Sequence, residues 1–150
     1  MVAASVATVS GKELNPADLQ NGRKTLFQAL VDVRARVGGS RQAIVDGDET
    51  VASYDMLVMA SLAVGNALRK GTAPGEAVGI MLPTSLGAVI AFFALSAFGR
   101  VPTMLNFSNG AAGVLSALRT AKVKRIVTAR KFVDLAKLDD MVAELSSKMT

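Results

Sequence analysis

Two hydroxyls at Thr84 and Ser85, an amide and a hydroxyl at Asn106 and Ser108, and the guanidinium of Arg130 are the side chains of this chain best suited to hold an anion. Each stands between a short apolar run and a stretch with helical periodicity. In an open α/β sheet, that is where the carboxyl end of a strand meets the free N–H groups of the next helix, and where phosphates and carboxylates bind. Phe107, Asn109 and Thr128 stand in the same places. As binding residues, Thr84, Ser85, Asn106, Ser108 and Arg130 would grip a phosphate or carboxylate. As structural residues, Ser, Thr and Asn are ordinary helix N-caps. The sequence offers no catalytic residue and no metal-ligand set beside them. With no cysteine and no histidine in 150 residues, disulfides, thiolate and imidazole metal sites, cysteine nucleophiles, Ser-His triads and histidine acid-base chemistry are excluded.

The short nucleotide motifs are missing as well. A phosphate loop needs its second glycine ahead of the lysine, whereas Gly65 to Thr72 places Lys70 before Gly71 at the end of a helical pattern. No Gly-x-Gly-x-x-Gly occurs, and Gly71, Gly75 and Gly79, interrupted by Pro74 and Glu76, read as loop residues and not as a helix-pairing face. Asp46 and Asp48 around Gly47 fall far short of a calcium loop. Asn106-Phe107-Ser108 matches a glycosylation sequon that has no meaning inside a cell. Lys and Arg number 17 against 12 Asp and Glu, a net charge of +5, and the excess gathers at Arg119, Lys122, Lys124, Arg125, Arg130 and Lys131 with no acid among them. That run is either a solvated helix end and loop or, in the alternative reading, the face (119–131) of an autonomous α/β binding or interaction module. Nucleic acid is not an expected partner, because the chain has one Tyr, no Trp, and no aromatic among these cations before Phe132.

The elements that must position these groups follow from periodicity and punctuation. Apolar residues make up 51% of the chain and charged ones 19%, enough to bury a core and too little charge for disorder. Met1 to Gly11 lack the basic start and long apolar stretch of a secretory signal, and residues 1–24 read as a flexible tail. Thr25-Leu26-Phe27-Gln28 is a capping box, followed by Leu26, Leu30, Val33 and Val37 at helical spacing and a stop at Gly38-Gly39. Asp46-Gly47 between β-branched runs predicts a small antiparallel hairpin. A helix then starts at Ser53, with Leu57, Ala60, Ser61, Val64 and Leu68 on one face.

Val78–Leu82, Val101–Leu105 and Ile126–Thr128 are near-continuous apolar runs separated by helical stretches at Ser85–Phe98 and Gly110–Ala121. That alternation predicts parallel strands joined by right-handed crossovers. Leu86, Val89, Ile90, Phe92, Phe93, Leu95 and Phe98 make the first of these helices apolar nearly all round, as expected of a layer covered on both sides. The charge-free window Ala77–Gly99 fits a buried strand and helix better than a membrane hairpin, since Pro83 divides it and its helical part reaches only about 20 Å against a hydrocarbon core of about 30 Å. A last amphipathic helix carries Leu135, Leu138, Met141, Val142 and Leu145. The fold class is therefore α/β: a Rossmann-like three-layer unit with a short parallel sheet, helices on its faces and a small antiparallel hairpin.

Several blocks resemble a known family. Ser53-Tyr54-Asp55-Met56-Leu57, Pro74-Gly75-Glu76-Ala77-Val78-Gly79-Ile80-Met81-Leu82-Pro83, Phe92-Phe93-Ala94-Leu95 and Gly99-Arg100-Val101-Pro102 look like the opening of the AMP-binding, adenylate-forming enzymes, the acyl-CoA synthetases and their relatives. Met104-Leu105-Asn106-Phe107-Ser108-Asn109-Gly110 and Thr128-Ala129-Arg130-Lys131-Phe132 resemble the acyl-acyl-carrier-protein synthetase half of the bifunctional 2-acylglycerophosphoethanolamine acyltransferases. The resemblance covers about Leu26 to Leu145.

It implies a parent ligase that activates a fatty acid with ATP and Mg to an acyl-adenylate and passes the acyl group to acyl carrier protein or CoA in lysophospholipid reacylation. It further implies a cytoplasmic protein, in peripheral contact with the inner face of the membrane. The family's phosphate loop, its adenine and magnesium motifs and its C-terminal lysine have no counterpart in these 150 residues. No catalytic residue and no cofactor is carried over to this chain. Residues 25–150 are expected to be the opening portion of the large N-terminal domain, inactive alone. In some relatives the loop after the second parallel strand carries a basic residue near CoA. Asn106 to Asn109 has none, which inclines toward a protein-borne thiol and leaves CoA open. A short parallel set with an unpaired edge is also expected to self-associate.

Overall fold

The computed structural model describes Gly22 and residues 24–149. The expected tail over residues 1–24 lies outside them except for Gly22 and Lys24, whose ammonium meets Asp32 at 2.6 Å. Three apolar runs form one parallel sheet of β3 (Ala77–Ile80), β4 (Val101–Met104) and β5 (Arg125–Val127), in the order β4-β3-β5. Val78 lies opposite Pro102 and Arg125, and Ile80 opposite Met104 and Val127. Pro102 is tolerated because β4 is an edge strand. Among the described residues, β4 and β5 each keep one edge without a strand partner.

The side chains of β3 alternate between two cores. Val78 and Ile80 pack with Ala91 and Leu95 of α3 (Leu86–Ala97). Ala77 and Met81 belong with Leu105, with Val114, Leu115 and Leu118 of α4 (Gly110–Thr120), with Val123 and with Leu145 of α6 (Asp139–Lys148). Helices thus cover both faces of the sheet, the expected three layers. Gly79 is buried in the middle of the central strand, as the apolar run Val78–Leu82 predicts and not in the loop that its spacing from Gly71 and Gly75 suggested. A Cβ there would lie 2.7 Å from Leu105 Cδ1 and 3.2 Å from Ile126 Cγ1, so glycine makes room for these two side chains over the central strand.

On the first face, α1 (Leu26–Val37) and α2 (Tyr54–Leu68) complete the layer, with the hairpin β1 (Gln42–Val45) and β2 (Val51–Ser53) between them. The hairpin forms as expected, but its left-handed residue is Glu49 (φ +64) and not Gly47. Only half of the capping box forms. Thr25 Oγ1 accepts from Gln28 N–H at 3.1 Å, while the Gln28 side chain turns to Asp32 at 2.8 Å. Leu26 is 57% exposed, and α1 enters the core from Leu30 onward.

The α2–α3 contact departs most from the periodicity. The buried face of α2 is Leu57, Ser61 and Gly65, and Val64 is turned outward at 36% exposure. On α3 the fully buried side chains are Leu86, Ala88, Ala91, Ala94 and Leu95, whereas Val89, Ile90, Phe92, Phe93 and Phe98 are half-buried. The helix expected to be wrapped on all sides therefore buries mainly its alanines. Small side chains let two helix backbones approach closely, and that contact outweighs covering the largest side chains. A Cβ at Gly65 would stand 2.7 Å from the Ala94 carbonyl oxygen and against the Phe98 ring.

The expected last helix is two, α5 (Arg130–Leu135) and α6, broken where Lys137 adopts φ +53. Leu135 ends α5 at 76% exposure and Leu145 is buried. Polar ties hold the amino ends of the strands. Arg100 donates from Nε to Thr72 Oγ1 at 2.9 Å and from its terminal nitrogens to the carbonyls of Arg69, Thr72 and Phe98, fastening the end of α2 to the start of β4. Glu76 accepts from Ala73 N–H at 2.8 Å and pairs with Arg125, fastening β3 to β5.

Two outcomes follow. Gly65→Ala, which in an open helix would gain about 1 kcal/mol, is expected to destabilise by about 1–3 kcal/mol in chemical denaturation. The Ala73 N–H and the Arg125 guanidinium hold Glu76 below the usual carboxylate range. Its contribution to stability is complete above the ordinary glutamate pKa of 4.5 and is lost as pH falls below it. Glu76→Gln should flatten that acid slope in denaturation midpoints measured against pH.

Candidate functional site

Because β3, β4 and β5 run in parallel, their carboxyl ends open on one rim of the sheet. A groove of about 460 Å³ lies there, between the hairpin, the start of α3 and the ends of β3 and β4. Ile44, Val45, Leu82, Val89, Phe92 and Met104 give it apolar walls. Of the five candidate residues, Thr84 and Ser85 line this groove; Asn106, Ser108 and Arg130 do not.

Ser85 is occupied as a cap: its Oγ donates to the Pro83 carbonyl at 3.2 Å and accepts from Ala88 N–H at 3.4 Å. The Leu86 N–H, which would face an incoming anion, donates to Asp46 Oδ2 at 2.7 Å. Asp46 Oδ1 accepts from Gly47 N–H at 2.7 Å, so this carboxylate closes the hairpin turn and caps α3 together. The anion expected at the α3 N-terminus is thus supplied by the chain itself. Asp46 read in sequence only as a turn residue, because its partner lies 40 positions away and no local spacing announces the contact. Thr84 is exposed on the groove's lip.

After β4, Asn106 Oδ1 accepts from Ser108 N–H at 3.0 Å and its amide meets Asn109 at 3.4 Å, closing a 3₁₀ turn over Phe107–Asn109. Ser108 is exposed. Arg130 pairs with Asp139 at 3.3 Å and Asp134 at 3.9 Å, bridging α5 and α6. Thr128 lines a separate cavity of about 290 Å³ with Met81 and Arg125. The basic run is divided in the same way. β5 carries the chain from one rim to the other, leaving Arg119, Lys122 and Lys124 at the amino end and Arg130 and Lys131 at the carboxyl end. Among the described residues no cluster of three or more acidic groups is placed to hold a metal ion. No described helix is long and apolar enough to cross a membrane.

The model of the AMP-binding enzyme family matches residues 31–150. The chain belongs to that family. Solved structures share the fold. The inhibitor-bound N-terminal domain of FACL13 from Mycobacterium tuberculosis superimposes with a TM-score of 0.69 at 18% identity, over 82% of this chain and 30% of that one. The anthranilate CoA ligase AuaEII in complex with anthranoyl-AMP gives 0.71 at 17% identity, over 84% of this chain and 23% of that one. A benzoate CoA ligase from Burkholderia xenovorans LB400 gives 0.68 at 17%, over 81% and 24%. The chain thus spans less than a third of the length of these enzymes, and at such identities the likeness is one of fold.

The Asp46 cap carries a direct expectation. Asp46→Ala and Ser85→Ala should each cost about 1 kcal/mol of stability, the loss of an N-cap. The two should couple in a double-mutant cycle, because both serve the first turn of α3.

Proposed function

We propose that this chain is the opening portion, residues 25–150, of the large N-terminal domain of an acyl-activating ligase. The whole protein makes an acyl-adenylate from a fatty acid and ATP with magnesium, then passes the acyl group to acyl carrier protein or CoA. The process it serves is reacylation of lysophospholipids at the cytoplasmic face of the membrane. Membership of the AMP-binding family over residues 31–150 carries this reading. The apolar groove on the carboxyl rim supports a substrate with a hydrocarbon tail, since its walls are aliphatic and aromatic and its carboxylate is already engaged with Leu86 and Gly47 N–H groups. Asn106 to Asn109, with no basic residue, supports a protein-borne thiol. The finer match of Met104 to Gly110 and Thr128 to Phe132 supports the acyl-carrier-protein branch. The open edges of β4 and β5 support pairing with a second copy of this chain.

The full-length protein should catalyse fatty-acid-dependent exchange of pyrophosphate into ATP, and residues 1–150 alone should not. Absence of exchange with every fatty acid tried would overturn the reading. Val89→Trp, which narrows the groove, should lower kcat/KM for long-chain acids by roughly tenfold while sparing short ones. Light scattering of the 150-residue chain should show a mass that rises with concentration, and a monomer throughout would remove the pairing.

A further inference from the structure

The β1–β2 hairpin is anchored broadly at one end and tied at the other by a single side chain. At its base Ala52 is fully buried, Tyr54 N–H donates to the Arg41 carbonyl at 3.1 Å, Asp55 N–H donates to the Gly39 carbonyl at 2.8 Å, and Arg34 pairs with Asp55. At its tip Val45 and Val51 are exposed and the turn closes on itself. Asp46 makes four hydrogen bonds there. Its N–H donates to the Thr50 carbonyl at 2.9 Å, its carbonyl accepts from Glu49 N–H at 2.9 Å, and its Oδ1 accepts from Gly47 N–H at 2.7 Å, all inside the turn. The fourth runs from Leu86 N–H to Oδ2 at 2.7 Å. Among the described residues it is the one hydrogen bond that joins turn residues 46–50 to an element outside the hairpin. Between base and tip the pairing shifts register from Gln42 to Ile44, so Ala43 is an extra residue on β1. Such a bulge bends its strand and interrupts the ladder. The side chains between that bend and the tie, Ile44 and Val45, line the apolar groove together with Val89 and Phe92 of α3.

We infer that the hairpin is a latched wall of this groove, and that Asp46 is a positioning residue that sets the width of the acyl chain admitted. The inference rests on the reading of the groove as the acyl site. Both ends of the latch, residues 46 and 86, lie within the described chain, and the bond between them closes without any other part of the protein. Apolar packing is non-directional and limits width poorly, whereas a hydrogen bond holds its two ends at a fixed separation. With the latch closed the groove is held at about 460 Å³. A straight chain enters without moving the wall. A methyl-branched chain must push the tip away from α3 and leave the Leu86 N–H without its partner, a cost that falls on the bulkier substrate alone.

The test uses the full-length protein, amide hydrogen exchange, and direct binding of radiolabelled palmitic acid and its methyl-branched counterpart, phytanic acid. Asp46→Ala should speed exchange at residues 45–51 by about tenfold while leaving Tyr54 and Asp55 at the base unchanged. It should also improve binding of phytanic relative to palmitic acid by about tenfold. Leu86→Pro removes the N–H at the other end of the latch, at the first helical position where proline is accommodated, and should open the hairpin in the same way. The double variant should open it no further than either single change. Asp48→Asn alters the same turn at a carboxylate that bonds within it, to Thr50 N–H, and should change neither exchange nor the ratio of the two acids. Exchange that rises equally over β3, α2 and α3 would assign Asp46 to global stability and overturn the inference. So would an opened hairpin with an unchanged ratio, an equal effect of Asp48→Asn, or failure of the wild-type protein to bind either acid. None of these readouts requires ATP, so absence of pyrophosphate exchange would remove the ligase reading while they still judge the wall.

Discussion

The structure depends on one strand being buried from both sides. β3 sends Val78 and Ile80 into the α2–α3 layer, while Ala77 and Met81, the residue just after the strand, enter the α4–α6 layer, with Gly79 between them. Every other element is placed relative to that strand. β4 and β5 pair on its two edges, and each helix returns over the sheet because a parallel neighbour can be reached only by a crossover. Burial of apolar surface is non-directional, so it needs geometric selection, and small residues provide it. Gly65, Ser61, Ala91 and Ala94 admit close backbone approach on one face, and Gly79 leaves room for the Leu105 and Ile126 side chains on the other. Ser61 shows what the close fit costs, for its hydroxyl is fully buried with no hydrogen-bond partner.

Polar groups finish what packing begins, and they act differently at the two rims. At the amino rim, Arg100 and Glu76 tie neighbouring elements through charged hydrogen bonds. At the carboxyl rim, Asp46 reaches from the hairpin turn to the first turn of α3. That contact turns a surface hairpin into one wall of the groove. The capping and the groove are therefore one construction: the helix N-terminus is satisfied internally, and the space beside it is left to apolar contact.

The charge distribution follows the same logic of rims. Arg119 to Lys131 is one run in the chain but two patches in space, because β5 crosses the thickness of the sheet between them. Arg130 turns to Asp134 and Asp139, Arg125 turns to Glu76, and what remains uncompensated collects with Lys148 around an apolar hollow. A sequence run of cations is thus a poor guide to a binding face until the strand direction is known.

Much of the architecture was legible beforehand. The hairpin, the three parallel strands, the two crossover helices and the family can be read from β-branched runs, caps and a few blocks of residues, because these signals are local and each turn or strand is decided by its own neighbours. The facing of helices was not. Val64 turned outward, Leu135 was left exposed and the phenylalanines of α3 were only half covered, because which face is buried depends on how closely the neighbouring backbone can come. The candidate site was half legible. Thr84 and Ser85, chosen for their place after a strand, line the groove, whereas Asn106, Ser108 and Arg130 stand after strands too but lie away from it, Asn106 and Arg130 turned to local partners. Asp46 could be found only in three dimensions. The sequence alone determined the order and kind of elements, since those rest on short-range hydrogen bonding and periodicity; the tertiary structure alone decided which polar groups are consumed by one another, since that depends on contacts between residues far apart in the chain.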